Sequence, residues 1–353
     1  VSTSSQTAGD DPRALPWALR VALWDAALAA VRTQLRGGGL LEVSTPCRVR
    51  AVALEPWIEP IPAGRDARGG QRWLATSPEL SMKQLLARGA PSIFQIAHVF
   101  RAAEVGARHS EEFHLIEWYR VSADLPAIMA DVEAVVAAVF AAVEPILARA
   151  GLAPGLAPKR WREVSLVERM GESLGCQLRG DEAAEALLPH LRRVRADLGM
   201  RLAEGDGAPG DDELGPLEAW TELFSLLSAR DLDPWLAQLG AQGEGVHVVA
   251  FPAALAALSE REGATAARFE SHALGVELAN GYRELREAGE QRRRFEAVAE
   301  LRARHDLAPL PMPEAFLAEV DALPPCAGVA LGLDRLLALA CGRARLDQVS
   351  ISS

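Results

Sequence analysis

The sequence predicts an α+β fold, helices packed on a largely antiparallel β-sheet, and three observations predict it. Two β-rich segments, "PSIFQIAHVF" (91–100) and "FHLIEWYRV" (113–121), flank a polar stretch, as antiparallel strands joined by a loop do. Strand character returns in "GVHVVAF" (245–251), "ARFESHAL" (267–274) and "GVELANGY" (275–282). Helical periodicity fills much of the rest: Trp17, Val21, Trp24, Leu28, Val31 and Leu35 recur at spacings of four and three, one face of an amphipathic helix.

Taken in order, residues 1–14 are polar and lack the apolar run of a secretory signal, so a disordered leader is expected. Pro16 suits the first turn of the first helix, and Gly37-Gly38-Gly39 ends it. "LLEVSTPCRVRAV" (40–52) reads as a strand interrupted by Pro46, which belongs at a sheet edge or an interface. Residues 56–72, rich in Pro, Gly and Arg, read as a loop or hairpin tip. "SPELSMKQLLARG" (77–89) is a short helix with Ser77 as its N-cap and Gly89 as its stop. An Ala/Val-rich helix covers 124–150, and a mainly helical insertion broken by Gly, Pro and Asp is expected around 151–245. A charged helix spans 284–305, and "CAGVALGLDRLLALACG" (326–342) is a small-residue strand turning into an apolar helix.

Bulk properties exclude several classes. With 48 acidic against 37 basic residues and a net charge of −11, the chain is not expected to be held to nucleic acid by bulk charge, which leaves a local basic patch open and argues only weakly against tRNA. No apolar run approaches the ~20 residues of a membrane span, so no membrane partner is expected. Cys47, Cys176, Cys326 and Cys341 are scattered without a CxxC spacing, and read as reduced, mostly buried thiols of a cytoplasmic protein. Neither a P-loop nor a dinucleotide fingerprint is present, and no Ser/His/Asp or Cys/His arrangement suggests a protein nucleophile.

Three constellations could carry chemistry. In a strand, Phe113, Leu115, Glu117 and Tyr119 share one face. Burying Glu117 between aromatics is costly without a cation or donor, so it either pairs with an arginine, faces solvent, or recognises a ligand ammonium. Glu270 and Glu277 are seven residues apart and would oppose each other on one unbroken strand. A turn at His272–Gly275 would instead bring them together on adjacent strands, as paired carboxylates for Mg²⁺ over a phosphate chain or as the rim of an ordinary hairpin. Asn280, Tyr282 and Glu284 follow at a spacing of two and could line a pocket wall. Arg335 in "GVALGLDRLL" stands near a helix N-terminus, suited to anions or to a pairing with Asp334.

In this order the three constellations resemble the motifs of class II aminoacyl-tRNA synthetases, closest to the lysyl enzymes. "LLEVSTP" resembles motif 1, "FRAAEVGARHSEEFHLIEWY" motif 2 and "GVALGLDR" motif 3, while "TSPELSMKQLL" and "GVELANGYREL" are similar to lysine-family signatures. The resemblance covers residues 15–349 and implies a class II catalytic domain over 15–353. Lysyl-tRNA synthetases carry an anticodon-binding domain before motif 1, and this sequence is expected to lack it. That layout is similar to the elongation factor P–lysine ligases, which activate (R)-β-lysine with ATP and pass it to a lysine of elongation factor P.

The resemblance implies roles by residue. Glu79 would bind the amino group nearer the substrate carboxylate, Glu117, Tyr119 and Glu284 the distal ammonium, and Asn280 the carboxylate, with Tyr282 in the pocket wall. Ala330 stands where lysyl-tRNA synthetases have Gly, a difference associated with disfavouring α-lysine. Phe113 and Arg335 would sandwich adenine, Arg101 would hold the α-phosphate, Arg108 and His109 the leaving phosphates, and Glu270 with Glu277 the Mg²⁺. Arg101 and Arg335 are thus the catalytic pair, ATP and Mg²⁺ the cofactors, lysine or (R)-β-lysine the substrate, and elongation factor P the acceptor. No obligatory tRNA is expected, and motif 1 implies a homodimer. The sequence departs from the family at Arg101-Ala102-Ala103-Glu104, where Arg-Asn-Glu-Glu is usual, and at Ser110-Glu111 and His114, which replace Asn-Pro and Thr. The missing glutamate normally reads the adenine amino group. Two alternatives stay open: an adenylate-forming enzyme with another acceptor, and a catalytically weak regulatory paralogue.

Overall fold

The computed structural model describes residues 14–200 and 214–351, so most of the expected leader and part of the expected insertion lie outside the described residues. Helix α1 (Trp17–Gly37) leads into β1 (Leu41–Glu42). Pro46 divides what the sequence reads as one strand: β1 and β2 (Arg48–Val49) belong to different sheets. A proline cannot donate to a ladder, so the chain leaves the first sheet there. β2 joins the hairpin β3 (Pro62–Arg65) and β4 (Gln71–Leu74) in a small three-stranded sheet. Helix α2 (Glu79–Ala87) follows; Ser77 lies one residue before its N-cap, Pro78, but its hydroxyl still accepts from the Glu79 N–H at 3.0 Å.

The long strands β5 (Ile93–Phe100) and β6 (Glu112–Val121) form the antiparallel pair, and Asp124 caps α3 (Leu125–Arg149) by accepting from the Leu125 N–H at 2.8 Å. Between α3 and the late strands come β7 (Arg160–Ser165), α4 (Leu166–Leu174), α5 (Ala184–Asp197), α6 (Pro216–Leu227) and α7 (Asp233–Ala241). β7 is an addition to the helical content expected there: it lies parallel to β8 (Glu244–Pro252), at an edge of the main sheet. The four helices share their own core with β8, built around Leu187, Trp220, Leu223 and Phe251. Next come β9 (Arg261–Glu262), β10 (Thr265–Ala273) and β11 (Val276–Arg283). Helices α8 (Ala288–Arg304) and α9 (Glu314–Leu317), strand β12 (Cys326–Gly332) and helix α10 (Leu333–Ala340) complete the chain.

The main sheet runs β1-β5-β6-β12-β11-β10-β8-β7, with β9 paired to β10. Its inner pairs are antiparallel and both outer pairs, β1–β5 and β7–β8, parallel. Alternation along the strands decides which residues meet the core and which the site. On β5 and β6, Phe94, Ile116 and Trp118 face α1, α3 and α10 in the main core. Ile93, Leu115, Glu117 and Tyr119 face the other way, toward α2, α8 and the open side. Helix α3 is long and apolar enough to span a membrane by length and composition, unlike the sequence expectation. Here Val132, Val135, Val139 and Val143 of that helix are core residues against the sheet. The cysteines are free, but Cys47 is exposed and only Cys326 and Cys341 are buried, fewer than expected.

Candidate active site

Strand register assembles the site. Glu117 on β6 lies opposite Ala330 on β12, Ala330 opposite Asn280 on β11, and Asn280 opposite Glu270 on β10. Directly paired residues point to the same face, so four candidates from three separate motifs form one row across four strands. In the next row, Gly328 pairs with both Tyr119 and Tyr282. A Cβ at Gly328 would stand 2.3 Å from the Tyr119 ring and 2.7 Å from a Glu284 oxygen, so only glycine lets that ring lie flat there.

This face floors a cavity of about 340 Å³. Of the expected residues, Glu79, Arg101, Arg108, His109, Phe113, Glu117, Glu277, Asn280, Tyr282, Ala330 and Arg335 line it. Tyr119, Glu284 and Glu270 stand behind its wall. The Tyr119 hydroxyl donates to Glu117 Oε1 at 2.6 Å, and Ser77 Oγ donates to Oε2 at 2.7 Å. Glu117 is therefore held by two hydroxyls, not by an arginine, with 1% of its surface exposed. Burial and then the Glu79 carboxylate push it up to about 7, against the hydroxyls and Lys83.

Lys83 was not among the sequence candidates. Its Nζ lies 2.5 Å from Glu79 Oε1 and 2.5 Å from Glu284 Oε2, at 1% exposure. Burial works against its charge, but the Glu284 and Glu79 carboxylates outweigh it and hold the ammonium protonated. Glu284 does not line the cavity, and its Oε2 pairs with Lys83. The sequence signal was present: Glu79 and Lys83 are four apart on a helix, a spacing that pairs side chains. One ammonium among the carboxylates of Glu79, Glu117 and Glu284 leaves this end of the cavity short of positive charge. Glu55, another residue the sequence reading missed, adds a further carboxylate to the lining.

The opposite end is cationic. Arg335 NH1 lies 3.6 Å from Glu277 Oε2 and donates to the Glu277 carbonyl at 3.1 Å, and its Nε donates to the Arg108 carbonyl at 3.3 Å. Asp334, the alternative partner for Arg335, instead accepts from the His114 N–H at 2.7 Å. Desolvation, and then Arg335, lower His109. Arg101 stands between the two ends: its guanidinium lies 5.1 Å from the Phe113 ring centroid and pairs with Glu104 at 3.3 Å. Ala103 adopts the left-handed region at φ 62°, tied by its N–H to Glu111 Oε1 at 2.9 Å, while the Ala102 N–H donates to the Glu59 carbonyl at 2.8 Å. Glu111, one of the departures from the family pattern, thus braces the turn that the alanine pair creates.

The β10–β11 turn places Glu270 near Glu277, with a register shift at Ser271/His272. Glu270 Oε1 accepts from Arg268 at 2.7 Å and its Oε2 lies 3.6 Å from His272 Nε2. Desolvation and the Glu270 charge push Glu277 up against Arg335, so added positive charge would be welcome there. Among the described residues no group of three or more His, Cys, Asp or Glu could hold a metal. Mg²⁺ commonly takes one or two carboxylates with waters and phosphate oxygens; Glu277 lines the cavity, whereas Glu270 stands behind its wall and is bonded to Arg268.

Residues 19–351 match the family described as tRNA synthetases class II (D, K and N). The chain is 33% identical over 327 residues to the elongation factor P–(R)-β-lysine ligase of Pectobacterium carotovorum subsp. carotovorum (strain PC1), covering 91% of each chain. It is 32% identical over 331 residues to the ligase of the same name from Vibrio cholerae serotype O1, covering 92% of this chain and 91% of that one. With that of Klebsiella pneumoniae (strain 342) the identity is 31% over 334 residues. The match over residues 19–351 and these relatives show that the chain is an ATP-dependent amino acid ligase and a member of the class II tRNA synthetase family of the D, K and N type.

Proposed function

We propose that this protein activates lysine or (R)-β-lysine with ATP and transfers it to a lysine side chain of elongation factor P. The observation that carries the reading is one cavity lined by the carboxylates of Glu55, Glu79 and Glu117 and by the basic side chains of Arg101, Arg108, His109 and Arg335, these last alongside Glu104, Glu277 and Asp334. A diamino acid has ammonium groups for the first, and a nucleotide has phosphates for the second. The names of the relatives support the acceptor.

In the first step the substrate carboxylate attacks the α-phosphorus and pyrophosphate leaves. Arg101 offsets the charge building on the phosphoryl oxygens, and the cavity walls supply orientation. Asn280 orients the carboxylate by donating from its side-chain amide N–H. Glu79 takes the ammonium nearer the carboxylate. Glu117 takes the distal one, oriented by Tyr119 and with Glu284 acting through Lys83. Phe113 and Arg335 hold adenine, Arg108 and His109 the leaving phosphates. Mg²⁺, held by Glu277 and Glu270, would neutralise phosphate charge. In the second step the acceptor amine attacks the mixed anhydride, an amide forms and AMP leaves.

The protein is proposed to be cytoplasmic, to need no tRNA and to act as a homodimer. Exposed Trp17 (56%) and Val21 (57%) on α1 and Leu41 (58%) on β1 support a homodimer. ATP–pyrophosphate exchange with both lysine isomers tests the first step, and a mass shift of purified elongation factor P the second. Absence of exchange with either isomer refutes activation. Exchange with α-lysine alone, followed by tRNA charging, refutes the ligase assignment.

A further inference from the structure

Glu55 lies between β2 and β3, lines the cavity, and has no hydrogen bond or ion pair to its carboxylate among the described residues. Its charged neighbours are Arg101, Glu79, Arg268 and Glu104, and burial pushes its carboxyl up. It is not loosely placed. Arg302 on α8, with 2% of its surface exposed, donates through one nitrogen to the carbonyls of Glu55 at 3.2 Å, Pro56 at 3.3 Å and Ile58 at 3.3 Å. Its other terminal nitrogen donates to Glu59 Oε1 at 2.6 Å. A single buried guanidinium therefore fixes the segment that carries Glu55 over the cavity. Glu79, beside it, gives Oε1 to Lys83 and keeps Oε2 without a protein partner among the described residues.

We propose that Glu55 and Glu79 together grip the substrate ammonium nearer the carboxylate, and that Glu55 is the specificity residue that senses where along the substrate chain this ammonium sits. An ammonium has three donors and can serve both carboxylates. Moving it by one carbon displaces it by about 1.5 Å, enough to weaken its bond to one of the two acceptors. The Arg302 staple fixes the backbone from which the Glu55 side chain reaches. The proposal rests on the lysine or β-lysine reading of this cavity.

The test is calorimetric binding of α-lysine, (R)-β-lysine and 6-aminohexanoate to the wild-type protein and to Glu55→Gln. The last ligand keeps the carboxylate and distal ammonium but lacks the proximal one. Loss of a charge-assisted hydrogen bond predicts roughly 10- to 100-fold weaker binding of the preferred lysine isomer, a changed ratio between isomers, and under about two-fold change for 6-aminohexanoate. Glu55→Asp, which keeps the charge, should retain discrimination against 6-aminohexanoate. Equal losses for all three ligands would overturn the proposal, and so would an unchanged isomer ratio in a variant that binds normally. Failure of the wild-type protein to bind either lysine isomer would instead overturn the underlying reading, and the Glu55 assignment with it.

Discussion

Replacing Lys83 by Met tests the electrostatic design of the cavity most directly. Methionine roughly keeps the volume and removes the only ammonium between Glu79 and Glu284, each 2.5 Å from Nζ in the native chain. Removing one partner of a buried ion pair costs about 3–5 kcal/mol, because the charge left behind has no water to solvate it. The loss is limited by the pH at which the abandoned carboxylates can take up protons instead. Burial already pushes Glu284 up to about 8, and without Lys83 it rises further. Below pH 8 Glu284 is neutral in both folded proteins, so their difference is flat there; it grows by up to about 1.4 kcal/mol per pH unit above pH 8, where the native carboxylate ionises beside Lys83 and the abandoned one stays protonated. Urea unfolding of both proteins at pH 7, 8 and 9, followed by tryptophan fluorescence, reads this out. The double variant Lys83→Met/Glu284→Gln should recover at least about 1 kcal/mol over Lys83→Met, since it removes the orphaned charge. A loss below about 1 kcal/mol at every pH, or no recovery in the double variant, would refute the counter-ion role.

Other outcomes follow from the same geometry. Glu117 titrates near 7 in the folded protein, above its unfolded value of 4.5, so its contribution to stability is fully present below 4.5 and is lost as pH rises through 7. Ligand-free wild type should lose up to about 3 kcal/mol across that window relative to Glu117→Gln, measured by parallel urea titrations; identical pH profiles would contradict it. Tyr119→Phe removes the 2.6 Å bond that orients Glu117, and should raise the KM for the amino acid several-fold in pyrophosphate exchange while leaving that for ATP unchanged. Gly328→Ala forces a methyl against the Tyr119 ring and Glu284, and should lower stability by about 1–3 kcal/mol together with exchange activity. Ala103→Gly relieves the left-handed backbone at φ 62° and should raise the melting temperature slightly, for a gain of about 1 kcal/mol.

The chain by itself determined the class of fold and most of the cavity lining. Alternation along "FHLIEWYRV" already puts Phe113, Leu115 and Glu117 on one face, because side-chain direction in a strand has a period of two whatever the strand packs against. A turn within His272–Gly275 is likewise suggested by a glycine between two β-rich runs, while the left-handed backbone of Leu274 at φ 52° is set by the fold. What a strand faces, and what stands behind it, is not local. Pairing in the sheet set Glu117, Ala330, Asn280 and Glu270 in one row, although they come from segments far apart in sequence. Packing of α2 against the sheet put Lys83 between Glu79 and Glu284, joining two carboxylates far apart in sequence around one internal ammonium. Glu55 carries no motif, and only the Arg302 staple from α8 brings it over the cavity. Residue type and spacing fix which way a side chain points, while charge balance in a buried site depends on neighbours that only the folded chain supplies.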